Sequence, residues 1–275
     1  MGIINRTLNG LVDLVLRPFT GLSAWPALVV ASLLTAAVLV ALFGLSSDQE
    51  AIRRTRNRFL ARTLELLLFQ HDLRVSLTAC GRIFAANGAY LWQFLKPMAI
   101  GLVPLVLIFV QLESWFDRRP LKVGEQAVLT VRLDPSHPVM TTPAEITVPA
   151  SARIDSPPIR TPSRNEIAWR IVATESGSEW LNLKVGDTTE RKSLVVSDRL
   201  ARVSPRRESR GIVRELFAPS EPPLATDGAV TRMELSYPRR EIDLGLTEIP
   251  WVISAVVLMM TFSLLLGQLF GVRIA

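Results

Sequence analysis

The residues with most chemical potential in this chain are polar groups standing inside apolar stretches. Gln111 closes the run LVPLVLIFV, and Gln268 interrupts SLLLGQLFG near the C-terminus, with Thr261 and Ser263 on the same stretch and Arg273 just beyond it. An amide or hydroxyl in hydrocarbon is costly, so such groups face a bundle interior, a water-filled cavity or a partner helix. Glu113 and Arg273 also read simply as residues of a membrane surface. Covalent chemistry has no comparable signal. His71 and His137 stand at no metal-ligand spacing with Cys80 or a carboxylate, and there is neither a Gly-rich phosphate loop nor a GxSxG elbow. Asp155, Glu175 and Glu179 fall at strand edges and turns, where carboxylates are solvated. The lone Cys80 excludes an intrachain disulfide. The expectation is a protein that is not an enzyme, with no catalytic residue, no metal and no cofactor.

The elements that must position these groups are membrane spans. The 275 residues are 49% hydrophobic with a net charge of +6, and the mean hydropathy is positive. Crossing a hydrocarbon core takes about 20 apolar residues. Residues 27–45 and 251–270 supply that length without a charge. Residues 98–112 are shorter, and reach the length only if 90–96 extends them, with Lys96 snorkelling to the interface. Apolarity on all faces argues against a buried soluble helix there. The first span is read as retained rather than cleaved.

Between the first two spans, Arg53, Arg54, Arg56, Arg58, Arg62, Arg74, Arg82 and Lys96 outnumber Asp48, Glu50, Glu65 and Asp72. Basic loops stay in the cytoplasm. This places the N-terminus outside, the loop inside, the region after the second span outside and the C-terminus inside. The loop is rich in helix formers, with a capping-box pattern at Ser47 and Glu50, a break near 70–72 and a stop at Asn87-Gly88. It reads as a cytosolic helical hairpin, whose arginines are either a solvated, topology-setting face or a contact surface. Residues 3–19 put Ile4, Leu8, Leu11, Val12, Val15 and Phe19 on one stripe, with Asn5, Asn9, Asp13 and Arg17 elsewhere, as in an interfacial amphipathic helix.

From residue 121 the period changes to two. Segments 127–133, 144–150, 166–173, 179–185 and 192–197 read as strands of a small antiparallel sandwich, with 233–237 a further strand. Its basic and acidic residues nearly balance, which argues against DNA or any nucleic acid as a partner. The domain reading is an amphipathic helix in 1–24, spans in 25–46 and 97–116, and a hairpin in 47–96. An inserted extracytoplasmic all-β sandwich follows in 117–200, then a Pro- and Arg-rich return in 201–248 and the last span with a short cytosolic end in 249–275. The fold class is membrane α-helical.

Three stretches carry a family resemblance. GLVPLVLIFVQLESWF (101–116) looks like the second core span of the YidC/Oxa/Alb insertase superfamily. WVISAVVLMMTFSLLLGQLFGVR (251–273) resembles its last span, including the ending Phe270, Gly271, Val272 and Arg273. ANGAYL (86–91) is similar to part of its cytosolic hairpin region. The order of these stretches is closest to the branch of the endoplasmic reticulum membrane complex third subunit and its archaeal relatives. The chain has no arginine in its first span of the kind some members place in the groove, and a sandwich domain sits between its second and third spans. The resemblance implies an insertase in the bacterial inner (plasma) membrane that moves nascent membrane-protein clients through a polar groove. Gln111, Gln268, Thr261, Ser263 and Arg273 would contact the client. The hairpin arginines Arg53, Arg54, Arg56, Arg58 and Arg62 would meet anionic lipid of the bilayer, a ribosome or another membrane subunit. The alternative is a membrane-tethered β-sandwich that binds or scaffolds an envelope complex.

Overall fold

The computed structural model describes residues 3–47, 50, 54, 57, 61, 73–186, 188–209, 221–225, 228–243 and 248–272. Its named helices are α1 (Ile3–Leu16), α2 (Ala24–Ser46), α3 (Leu73–Phe116) and α4 (Trp251–Leu269). Three helical stretches, Ala24–Ser46, Leu95–Phe116 and Trp251–Leu269, are long and apolar enough to cross a membrane. The second is 22 residues long, so the shortness inferred from 98–112 is removed by Leu95 and the residues that flank it.

The hairpin stop read at Asn87-Gly88 is not there: α3 runs through both residues as one helix of 44 residues. Glycine ends a helix when it turns left-handed. Gly271 does so, with φ 66°, and its neighbour Val272 donates from its N–H to the Gly267 carbonyl at 2.9 Å, closing α4. Gly88 is helical and costs only about 1 kcal/mol relative to alanine. The helix continues into a segment whose apolar character favours intrahelical backbone bonding. The break read at 70–72 lies outside the described residues.

The chain divides into two units, residues 1–31 with 107–255 and residues 32–106 with 256–275. In the second unit a Cβ on Gly44 would stand 3.2 Å from a Val272 methyl, and one on Gly101 would stand 3.8 Å from a Leu39 methyl. Gly44 therefore permits a close approach that a larger residue would open.

The first unit holds two antiparallel sheets and a hairpin. In the larger sheet the order is β3 (Ala152–Ile154), β5 (Glu166–Ala173), β1 (Gln126–Leu133), β9 (Val230–Leu235) and β8 (Arg206–Glu208), with β4 (Ile159–Thr161) also on β5. The smaller runs β2 (Ala144–Thr147), β6 (Gly177–Val185), β7 (Thr188–Val196). β10 (Glu241–Asp243) pairs with β11 (Glu248–Pro250) next to α4. Alternation makes the sandwich: Leu129, Val131 and Leu133 of β1, Ile167, Trp169 and Ile171 of β5, and Leu181, Leu183 and Val185 of β6 fill one buried core, each large side chain contributing about 1.5–3 kcal/mol. The stretch 201–248, read as a return, supplies β8 and β9, and β9 lies in the interior of the sheet against β1. The β portion therefore extends past the boundary expected at residue 200.

One turn is fixed by a single side chain. Asn165 takes the left-handed conformation, φ 54°, which asparagine tolerates. Its amide donates to the carbonyls of Leu133, Asp134 and His137 and accepts from the Val139 N–H at 2.8 Å. This links the β4–β5 turn to the loop after β1.

Candidate functional site

The strongest polar constellation of the first unit is built around an arginine that the sequence pattern did not single out. On α1, Asn9 and Asp13 are one helical turn apart and share a face. On α3, Gln111 and Ser114 do the same near its C-terminal end. Arg202, on the extended stretch between β7 and β8, reaches all four. Its Nη1 meets the Asp13 carboxylate at 3.2 and 3.3 Å, its Nη2 donates to Asn9 Oδ1 at 2.6 Å, and its Nε donates to Ser114 Oγ at 3.0 Å. The Gln111 Oε1 lies at 3.5 Å from Nη2. Ser114 in turn donates to the Gln111 carbonyl at 2.7 Å, and the Val203 N–H donates to the Ser114 carbonyl at 3.0 Å. Burial presses the Arg202 pKa down, with Asp13 opposing the shift. The group stays charged at neutral pH, since an arginine begins far above it.

The cluster turns the polar side of α1 toward Arg202: Asn9 is buried and Asp13 half-buried, while Leu11 of the apolar stripe is 56% exposed. A buried guanidinium needs acceptors, and α1 supplies two of them by turning its polar side inward. Leu16 is buried on the same side.

The residues expected to line a groove fall in different settings. Gln111 is only 1% exposed and belongs to the arginine cluster. Gln268 and Thr261 are exposed, the Thr261 hydroxyl donating to the Val257 carbonyl of its own helix at 2.9 Å, and Ser263 is half-buried. Gln111 and Gln268 belong to different units. Arg273 lies outside the described residues, as do Arg53, Arg56, Arg58 and Arg62. Arg54 is exposed and pairs with Glu50 at 3.2 Å.

A second polar cluster lies inside the sandwich. Lys192 occupies an inward position of β7, in step with Leu194 and Val196, and is fully buried. Its Nζ meets Glu221 at 2.6 Å and also donates to the Ser204 carbonyl. Glu221 accepts from the Ser193 hydroxyl and N–H. Tyr237 closes the group: its hydroxyl donates to the Ser193 carbonyl at 3.2 Å and accepts from the Val195 N–H at 3.0 Å. Burial lowers the Lys192 pKa and raises that of Tyr237. The signal was present in the sequence, because a lysine in phase with the core residues of a period-two strand must be buried or break the strand.

Ser193 donates to one oxygen of the Glu221 carboxylate, whose other oxygen, Oε2, is buried without a hydrogen-bond partner. Among the described residues no group of His, Cys, Asp and Glu could hold a metal ion. What the Arg202 cluster does is mechanical: one side chain of the β portion fixes two helices by charge-assisted bonds, each stronger than a neutral one.

No family model, no curated protein and no solved structure matches this chain.

Proposed function

We propose that this chain is an insertase-like membrane protein of the YidC/Oxa/Alb type, in which a polar path beside the spans helps client segments cross and the sandwich is an accessory. The observation that carries this reading is α3, a single helix uniting the stretch expected as a cytosolic hairpin arm with an apolar length of 22 residues. Such a helix would carry a cytosolic receiving surface directly into a span, with Pro97 at the junction. The polar groups of α4 support the same reading, since Gln268 and Thr261 are exposed on an otherwise apolar helix. The proposed setting is a plasma membrane, with α1 and the sandwich outside and the hairpin and C-terminus in the cytosol. Clients would be nascent membrane proteins.

The test replaces Trp251–Leu269 and the residues after it with polyleucine ending in lysine. An anchor requires only about 20 apolar residues and an interfacial cation. The expected outcome is a membrane-bound protein inactive in an insertion assay, with Gln268→Leu giving part of the defect. Full activity of the chimera would make α4 an anchor.

A second reading is favoured by a specific feature of the sandwich. An open slot of about 580 Å³ lies where the two sheets present edges, lined by Glu145 and Ile146 of β2, by Asp155 to Pro158, and by Trp169. In that reading the sandwich binds a partner and the spans hold it in place. Deletion of the hairpin separates the two: it abolishes insertion in the first and leaves partner binding intact in the second.

A further inference from the structure

Two short backbone segments join the sheets to α3 and α4. Residues 117–120 leave the end of α3 and residues 238–241 lead into β10. They run antiparallel, with Arg118 opposite Arg239, the Arg119 N–H donating to the Pro238 carbonyl at 3.0 Å and the Arg240 N–H to the Asp117 carbonyl at 2.9 Å. This brings four arginines onto adjacent strands, where like charges facing each other are destabilising.

Two of the four are neutralised within the protein. Arg118 Nε donates to Asp117 at 2.9 Å and its Nη1 to the Tyr237 carbonyl at 3.0 Å. Arg119 makes a two-pronged contact with Glu125, both bonds at 2.8 Å. Arg239 is exposed. Arg240 is half-buried, and its Nε and Nη2 are enclosed with no acceptor. Burial, aided by the Arg119 cation, lowers its pKa to about 10, so it is a charged group at neutral pH. The nearby acids Asp198 and Glu241 act on Arg119.

We propose that Arg240, with Arg239 beside it, receives the phosphodiester of an anionic lipid headgroup. The planar fork of a guanidinium matches two phosphate oxygens, and a desolvated cation without an acceptor is the group that gains most from an anion. The location fits a lipid. Asp117 directly follows the last residue of α3, and at about 3.3 Å per extended residue the arginine pair stands at headgroup height when α3 spans a bilayer. Glu241, next to Arg240, pairs with Pro250 directly before α4, whose first-turn residues Val252 and Ile253 are 41% and 54% exposed, an apolar surface for the acyl chains. The inference rests on α3 and α4 being spans and not on insertase activity.

The test uses the full chain, purified in detergent and stripped of lipid. Retention of phosphatidylglycerol and of phosphatidylcholine with identical acyl chains is compared by native mass spectrometry, alongside the thermal midpoint with each lipid and with inorganic phosphate. The expected result is roughly tenfold tighter retention of phosphatidylglycerol, the equivalent of one charge-assisted contact. Arg240→Gln removes that preference and Arg240→Lys keeps part of it. Arg132→Gln on β1, which instead breaks a pair with Glu166 of β5, leaves it unchanged. Equal retention of the two lipids, or an undiminished preference in Arg240→Gln, overturns the proposal. Inorganic phosphate raising the midpoint as much as phosphatidylglycerol, without selective lipid retention, assigns the arginines to a free anion and overturns the lipid reading. Should Arg240→Gln fail to fold, the wild-type lipid comparison still decides, and Arg239→Gln is expected to weaken the preference severalfold.

Discussion

Lys192 and Arg202 are both cations removed from water, and they are held in opposite ways. Lys192 has one carboxylate at 2.6 Å in a setting where the two side chains are 0% and 3% exposed. Arg202 meets its carboxylate at 3.2 Å with 18% and 29% exposure, and spreads the rest of its donors over Asn9, Ser114 and Gln111 from two helices. The first cluster ties the sandwich to itself through Ser193, Ser204 and Tyr237. The second ties the sandwich to α1 and α3. A compact pair that depends on one acid is brittle, whereas a dispersed one tolerates the loss of any single acceptor, which suits a joint between a folded domain and helices that must work.

The brittle site gives the largest expected effect. Glu221→Gln leaves Lys192 enclosed without its counter-charge, and breaking a buried pair from one side costs about 3–5 kcal/mol. Chemical denaturation of the full chain in detergent should show that loss. Replacing both partners, Lys192→Met with Glu221→Leu, should recover most of it, because an apolar pair of similar volume is often no worse than an ion pair. A double variant as unstable as the single one would mean that the pair does more than neutralise itself.

Arg202→Ala is expected to cost less, about 1–3 kcal/mol, but to act on a different element. It removes the bonds of Arg202 to Asn9 and Asp13, so α1 should detach while the sandwich stays folded. Leu16→Cys, at a position only 1% exposed, should react slowly with a thiol reagent in the parent and quickly beside Arg202→Ala. Unchanged labelling would show that apolar packing alone holds α1.

The two clusters were not equally legible in the sequence. The three long apolar helices could be read because length and apolarity decide them, and the strands because period two is local. Lys192 was readable in principle from its phase with Leu194 and Val196. Arg202 was not, since its acceptors stand 189 and 193 positions away in the chain and nothing local distinguishes it from its arginine neighbours. Gln111 was singled out as a polar group in an apolar run, but its contact with Arg202 comes only with the fold. Asn87-Gly88 misled because a dipeptide that commonly stops helices does so through a left-handed glycine, and neighbouring residues decide whether that conformation is adopted.

Gln111→Leu sharpens the comparison further. Its contact to Arg202 is long, 3.5 Å against 2.6 Å for Asn9, so a loss of about 0.5–1.5 kcal/mol is expected, smaller than for Asn9→Ala. The same two variants discriminate roles in an insertion assay. If Gln111 matters by holding the joint, both should impair insertion alike. If it matters as a groove wall, Gln111→Leu should resemble Gln268→Leu and Asn9→Ala should be active.

The smallest effect belongs to an arginine outside both clusters. Arg119 and Glu125 form a pair with the geometry of a strong contact, two bonds of 2.8 Å, but each is about a third exposed, where solvent reduces an ion pair to about 0.2–1 kcal/mol. The hydrogen bond from Arg119 is the main cause that lowers the Glu125 pKa. A carboxylate whose pKa is lower in the folded state stabilises above the ordinary glutamate range and loses that contribution as pH falls through the folded value. Thermal midpoints measured from neutral to acid pH should therefore fall slightly less steeply in Arg119→Gln than in the parent, the two curves meeting at the acid end once Glu125 is protonated in both. Parallel curves would show that the pair contributes nothing to stability. A difference as large as that of Glu221→Gln would show that solvent does not weaken this site, and that exposure is the wrong variable for ranking the three cations.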